Sequence, residues 1–434
     1  MMAAVMSRLL RILVHEAPAV ALGILFCLFF KGQVLDAYTV PTGSMEPTIH
    51  GDSRRGDVVA VDKTWDNRAT PQRYDTVVFR RDDDKAAIVK RVAAVGPEWL
   101  QIREGDLWAG ASADRLAIVR KNLRAHRDLL IPRWDSDTAV DAAEVRKAWD
   151  LGPADGPNQF VPGTGFRLGD PATTSADLRA LRTVQLQEDR RMGRISGSLA
   201  PRYVTLRQPV DNGWIDIDGQ HKGRVHPVTD CGLSLWLTPE GDGAALHFVF
   251  ETRDHLCVIE YPADGEVRLG YDDLPIEDAQ PKVRPELVGG LAPPLRAGKP
   301  VRVTFAYLDG AFQLQVHDGE RDLEPIVMPW DVRALRDERR FRAPGLDNRL
   351  HLGVAGARVA VRRILVLRDL HYADKNLHAG RQPEYVPEGY LVLLGDNSSQ
   401  SQDSRDFGVI PMTALLGRPL AVVSPLRRFK LFSR

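Results

Sequence analysis

The sequence predicts a mainly β protein with an N-terminal transmembrane helix, followed by a β-rich domain that is interrupted by an inserted β-sandwich. Three observations carry this. There is one apolar segment, Ala17 to Phe30; short alternating runs with turn punctuation follow it; and a second, longer set of alternating runs lies between Tyr203 and Tyr372. Residues 1–36 are assigned to a membrane anchor, 37–135 and 375–434 to the two parts of the interrupted domain, 136–199 to a linker and 200–374 to the sandwich. At 434 residues the chain has room for two to three domains.

The apolar segment "APAVALGILFCLFF" is short for a span, which needs about 20 residues. Extension back to Leu9 reaches that length and includes His15 and Glu16, whose polar tips can reach the headgroups. Two readings fit, an uncleaved anchor and a cleaved signal peptide; no A-x-A site follows Phe30, which favours the anchor. Arg8 and Arg11 precede the span and Lys31 alone closely follows it. This orients the N-terminus to the cytoplasm and the remainder to the outer side of a single-pass, inner-membrane protein.

After the anchor, "DVVAV", "YDTVVFR", "AAIVKRVAAV" and "WLQIREGDLWAG" read as strands of the first β part. The Asp-, Ala-, Arg- and Gly-rich stretch that follows holds one amphipathic helical pattern, "SADLRALRTVQLQEDRRM". In the sandwich, Val301, Val303 and Phe305 alternate, as do Phe312, Leu314 and Val316, and Asp309-Gly310 marks the hairpin turn between them. The sandwich resembles concanavalin-like or laminin-G-like domains in strand rhythm.

Composition excludes several functions. Lys and Arg total 58 and Asp and Glu 58, so nothing favours a nucleic-acid partner. Cys27, Cys231 and Cys257 have no metal-ligand or CxxC spacing, and the eleven histidines form no metal-ligand cluster. Neither metal nor cofactor is implied. Cys231 and Cys257 read as two buried thiols or as a disulfide.

A serine hydroxyl needs a base, which can be histidine or a neutral lysine. In "AAIVKRVAAV", Lys90 shares a strand face with Ile88, Val92 and Ala94, and burial there would disfavour its ammonium form. Alone, Lys90 reads as a strand-edge lysine reaching water, and "GDNSSQSQDSR" reads as a polar loop.

Taken together, "PTGSMEPT" (Pro41 to Thr48), "VKRV" (Val89 to Val92) and "GDNSSQSQDSRDFG" (Gly395 to Gly408), in this order after one anchor, resemble bacterial type I signal peptidases. These are membrane-bound Ser-Lys proteases that remove signal peptides from exported preproteins. The resemblance covers about Val40 to Gly110 and Val386 to Leu420. It implies Ser44 as nucleophile, Lys90 as general base, Thr42 with the Ser44 backbone N–H as oxyanion donors, and Ser401 as the residue orienting the lysine. It further implies that Asp396 pairs with Arg91, and Asp403 with Arg405, as structural support.

The implied partners are exported preproteins and the lipid bilayer. Ser44 follows Phe30 by fourteen positions, which holds the nucleophile within about 50 Å of the membrane. The chain departs from the family at "AAVGPEWLQI", after the lysine strand, and in an insertion of about 250 residues. For the insertion, a polysaccharide, a protein partner, substrate screening and a plain spacer all remain open. A near rival is a self-cleaving Ser-Lys regulator on a related β-fold, which would carry a helix-turn-helix where this chain has an apolar segment; a rival of another class is a surface-binding protein with a functional sandwich and an inert peptidase part.

Overall fold

The computed structural model describes residues 17, 19–23, 33–64, 70–81, 86–139, 141–179, 202–207, 210–215, 221–222, 228–251, 255–273, 287–330, 349–373 and 382–432. They divide into two compact units, Met1–Ala117 with Tyr372–Arg434, and Ile118–His371.

In the first unit an antiparallel sheet runs in the order Leu35–Thr39, Val58–Asp62, Leu415–Ser424, Thr76–Phe79, Ile88–Val95, Tyr390–Leu394 and Ile410–Pro411. Strands from the two sequence-distant parts of the unit therefore alternate within one sheet. Its β-branched runs account for this, since Val59, Val61, Val77, Val78 and Val92 are all fully buried. Glu98–Arg103 and Asp106–Gly110 pair as a hairpin, with Glu104 and Gly105 at positive φ in the turn.

Much of the expected anchor lies outside the described residues. Residues 19–23 are helical, and no helix among the described residues is long and apolar enough to cross a membrane. The transmembrane part of the expected fold class is thus without structural support.

The second unit is a sandwich. One sheet runs Gln159–Val161, Gly165–Leu168, Val359–Arg368, Cys231–Pro239, Val301–Leu308, Ala311–His317 and Ile326–Pro329, with Ile131–Asp135 also pairing to Val359–Arg368. The other runs Leu287–Leu291, Glu266–Asp273, His255–Tyr261, Ala245–Glu251, Arg349–Ala355, Tyr203–Leu206 and Trp149–Asp150. Alternating side chains of both sheets share one core, where the Phe248 and Phe305 rings stack at 5.0 Å and Phe250 meets Tyr307 at 5.4 Å. Cys231 and Cys257 lie buried in this core.

The expected linker needs revision. Between residues 136 and 199 the chain supplies strands Trp149–Asp150, Gln159–Val161 and Gly165–Leu168 to the sandwich sheets. Their shortness hid them, because two to four residues show no measurable alternation, although Trp149, Phe166 and Leu168 are core residues. Of the helical pattern, residues 175–179 are helical and 180–192 lie outside the described residues.

Candidate active site

Ser44 stands in a single 3-10 turn, Gly43–Met45. The turn is seated by its apolar neighbours. Met45 and Ile49 are fully buried among Val40, Val59, Val61, Val78 and Val89. Thr42 precedes the turn in extended conformation, is exposed, and does not cap the turn with its hydroxyl.

Lys90 lies on the central strand Ile88–Val95 and is 2% exposed, and its Nζ is 2.5 Å from Ser44 Oγ. Ser44 is itself buried. A lysine from one strand and a serine 46 positions earlier are thus in direct hydrogen-bond contact away from bulk water.

Period-two alternation sends Arg91 the other way. Its Nε and Nη2 donate to Asp396 Oδ1 and Oδ2 at 2.7 and 2.6 Å, and Nη1 donates to the Tyr74 carbonyl at 2.8 Å. Thr48 Oγ1 donates to Asp396 Oδ2 at 2.5 Å. Both members of this ion pair are buried, and the bidentate geometry with its added partners offsets the desolvation of both charges.

The residue after Asp396 closes the loop back to the serine. Asn397 donates its backbone N–H to the Ser44 carbonyl at 3.1 Å and its Nδ2 to the Gly43 carbonyl at 3.0 Å. Arg91, the neighbour of Lys90, therefore holds the same segment that holds the serine turn.

Ser401 is buried beside Gly395. A Cβ at Gly395 would lie 2.2 Å from Ser401 Oγ and 2.5 Å from the Ser44 carbonyl oxygen. The backbone of Gly395 thus fits between the two serine-bearing segments, and a side chain there is sterically excluded.

Asp403 and Arg405 form a second buried bidentate pair, Nε to Oδ1 at 2.8 Å and Nη2 to Oδ2 at 2.6 Å. Arg405 also donates to the Ala373 and Ser398 carbonyls at 2.7 Å each, while Asp403 caps the short helix Ser404–Phe407 in a capping box with Asp406. These contacts fix the loop that carries Ser401.

Sequence reasoning passed over Thr48 and Asn397. Both sit inside the motifs quoted for the resemblance, but their contacts are to a carboxylate and to backbone carbonyls far along the chain, which spacing does not reveal. As for metals, Asp230, Asp309 and Asp369 of the sandwich converge, and Lys121 Nζ pairs with Asp309 and Asp369 at 2.7 Å each. An ammonium already serves that group as countercharge.

The sequence pattern of the family described as "Signal peptidase, peptidase S26" matches residues 13–197 and 343–424, more than half of the chain. The chain belongs to this signal peptidase family. The matched segments of this family member include Ser44, Lys90 and the whole Gly395 to Gly408 motif, and they reach further than the motifs alone indicated. The break between them, 198–342, falls within the sandwich unit.

Signal peptidase I of Mycobacterium tuberculosis (strain ATCC 25618 / H37Rv) is 29% identical over 175 residues, covering 33% of this chain and 54% of that protein. Probable thylakoidal processing peptidase 2, chloroplastic, of Arabidopsis thaliana is 46% identical over 37 residues, 8% of this chain and 10% of that protein. The chain therefore spans about half or less of these relatives. Among solved structures, the exoplasmic/lumenal domain of VIP36 aligns with a TM-score of 0.30 at 10% identity, covering 60% of this chain and 96% of that one.

Proposed function

We propose that this signal peptidase family member is a membrane-anchored serine endopeptidase. Its proposed reaction is the removal of N-terminal signal peptides from exported preproteins at the outer face of the cytoplasmic membrane, with Ser44 and Lys90 as its dyad. The observation that carries the reading is the 2.5 Å contact between Lys90 Nζ and Ser44 Oγ in a buried setting.

In the proposed reaction neutral Lys90 takes the hydroxyl proton while Ser44 Oγ attacks the carbonyl after a small residue. The resulting ammonium protonates the departing amine as the peptide C–N bond breaks. Water, deprotonated by the same amine, then hydrolyses the Ser44 ester and restores both side chains. Thr42 and the Ser44 N–H would hold the developing oxyanion; an exposed hydroxyl not spent on capping the turn supports this assignment. Ser401, beside Gly395 and the Ser44 carbonyl, would orient Lys90.

Two features support work at a bilayer. One is the apolar N-terminal sequence. The other is the exposure of Leu426, Phe429 and Leu431 in a segment that also carries Arg427, Arg428 and Lys430, a mixture suited to anionic headgroups.

The test is cleavage of a detergent-solubilised precursor with an A-x-A site. Ser44→Ala and Lys90→Ala are each expected to lower kcat by about 10⁴-fold or more with unfolding transitions unchanged. Wild-type activity should fall as pH is lowered, because a protonated amine cannot act as base. Full activity in Lys90→Ala would sink the dyad, and no cleavage by wild type across several precursors would sink the peptidase reading.

A further inference from the structure

The sandwich carries a groove of about 320 Å³ on the outer face of one sheet. Its floor follows from strand register. Trp236 lies opposite Arg302 on one neighbouring strand and Arg363 on the other, and Arg302 lies opposite His317. Leu235, Leu237 and Val303 alternate with these residues and enter the core, so the row Arg363, Trp236, Arg302, His317 faces outward across four adjacent strands.

A β-bulge opens the groove. The register shifts between Trp236 and Leu237, leaving Arg362 as the extra residue on its strand, and bulges re-aim side chains in this way. Arg362 lines the groove, is exposed, and has no hydrogen-bond or ion-pair partner among the described residues.

Charge in the groove is one-sided. Among the described residues, Arg302, Arg362 and His317 line it and no carboxylate does. The nearby Asp322 is shared by Arg302, Arg127 at 3.2 Å and His317 at 3.2 Å. Arg363 is committed to Asp135 and Asp137. The guanidinium of Arg302 lies 5.8 Å from the Trp236 ring centroid and that of Arg363 5.0 Å, so the indole holds both arginines on the sheet face. Burial and the neighbouring Arg127 press the Arg302 guanidinium below its ordinary value, against the opposing pull of Asp322.

We propose that this groove binds an oxyanion-bearing ligand, whose carboxylate, phosphate or sulfate group is held between the guanidinium groups of Arg302 and Arg362. Planar forks of this kind match such anions in geometry as well as charge. The proposal does not depend on the peptidase reading, since every residue in it belongs to the sandwich unit.

The experiment is calorimetric titration of the full chain in detergent at low ionic strength, with inorganic sulfate and glucuronate as separate probes. Saturable one-to-one binding is expected for at least one probe, weakened tenfold or more by Arg362→Gln and also by added sodium chloride. Arg362 is exposed, so its replacement is expected to leave folding intact, which the unfolding transition checks. Equal affinity for both probes would mean that the anionic group alone is recognised; preference for glucuronate would mean that the ring adds contacts, and either result supports the site. No saturable binding of either probe, or equal affinity in wild type and Arg362→Gln, overturns it.

Discussion

Gly395 and the Arg91–Asp396 pair show how single residues hold the proposed dyad. Arg91 cannot leave its carboxylate without stranding a buried charge, a loss worth about 3–5 kcal/mol when one partner of such a pair is removed. Through Asp396 and Asn397, that pair ties the lysine strand to the serine turn. Gly395 acts by being small. A methyl group there would lie under 3 Å from both Ser401 Oγ and the Ser44 carbonyl, so Gly395→Ala must displace one of them. The expected outcome is a loss of kcat of about 10²-fold or more, since misplacement by 1 Å costs that much, with a smaller change in KM. Steady-state kinetics on the precursor substrate check it; unchanged kcat would mean that the serine turn tolerates the shift.

Among the elements, hairpins are where local sequence acts most directly. Asp309 and Gly310 both take positive φ, 46° and 73°, joining Val301–Leu308 to Ala311–His317 with Leu308 opposite Ala311. That is the two-residue turn whose twist matches the strands, and it favours Asp-Gly for that reason. Gly310→Ala places a Cβ in the left-handed region and is expected to destabilise the chain by about 1–2 kcal/mol. A urea titration following the sandwich tryptophans reads this as a lower midpoint with an unchanged slope. A midpoint equal to wild type would show that the strands, and not the turn, set the hairpin.

At the scale of the whole molecule, a buried cluster makes stability depend on pH. Asp369 is enclosed in the sandwich, and desolvation pushes its carboxyl up to about 7, against the opposing pull of Lys121 and with the added repulsion of Asp309 and Asp230. The folded chain therefore binds a proton that the unfolded chain, with an ordinary carboxylate near 3.8, has released. This contribution is complete below the unfolded value and is lost as pH rises through the folded one. Asp369→Asn, which keeps a neutral side chain of the same shape, should flatten that decline between about pH 4 and 7 in thermal unfolding series. An identical slope in wild type and variant would show that Asp369 titrates as an ordinary carboxylate.

The sequence by itself determined the β character of both units, the Asp309-Gly310 turn and the serine, lysine and closing motifs. Each is written within a few consecutive residues, as alternation, turn chemistry or motif order. It also pointed to Arg91 and Asp396 as partners, but only through resemblance to a family. Only the tertiary structure decided that strands of the two separated parts interleave in one sheet, that Asn397 and Thr48 brace the serine turn, and that residues 149–168 belong to the sandwich. The oxyanion groove likewise needed four strands in register with one bulge. The physical reason is common to all of these: strand pairing and buried ion pairs join residues tens to hundreds of positions apart, and their energy depends on distance in space, which local patterns in a chain do not encode.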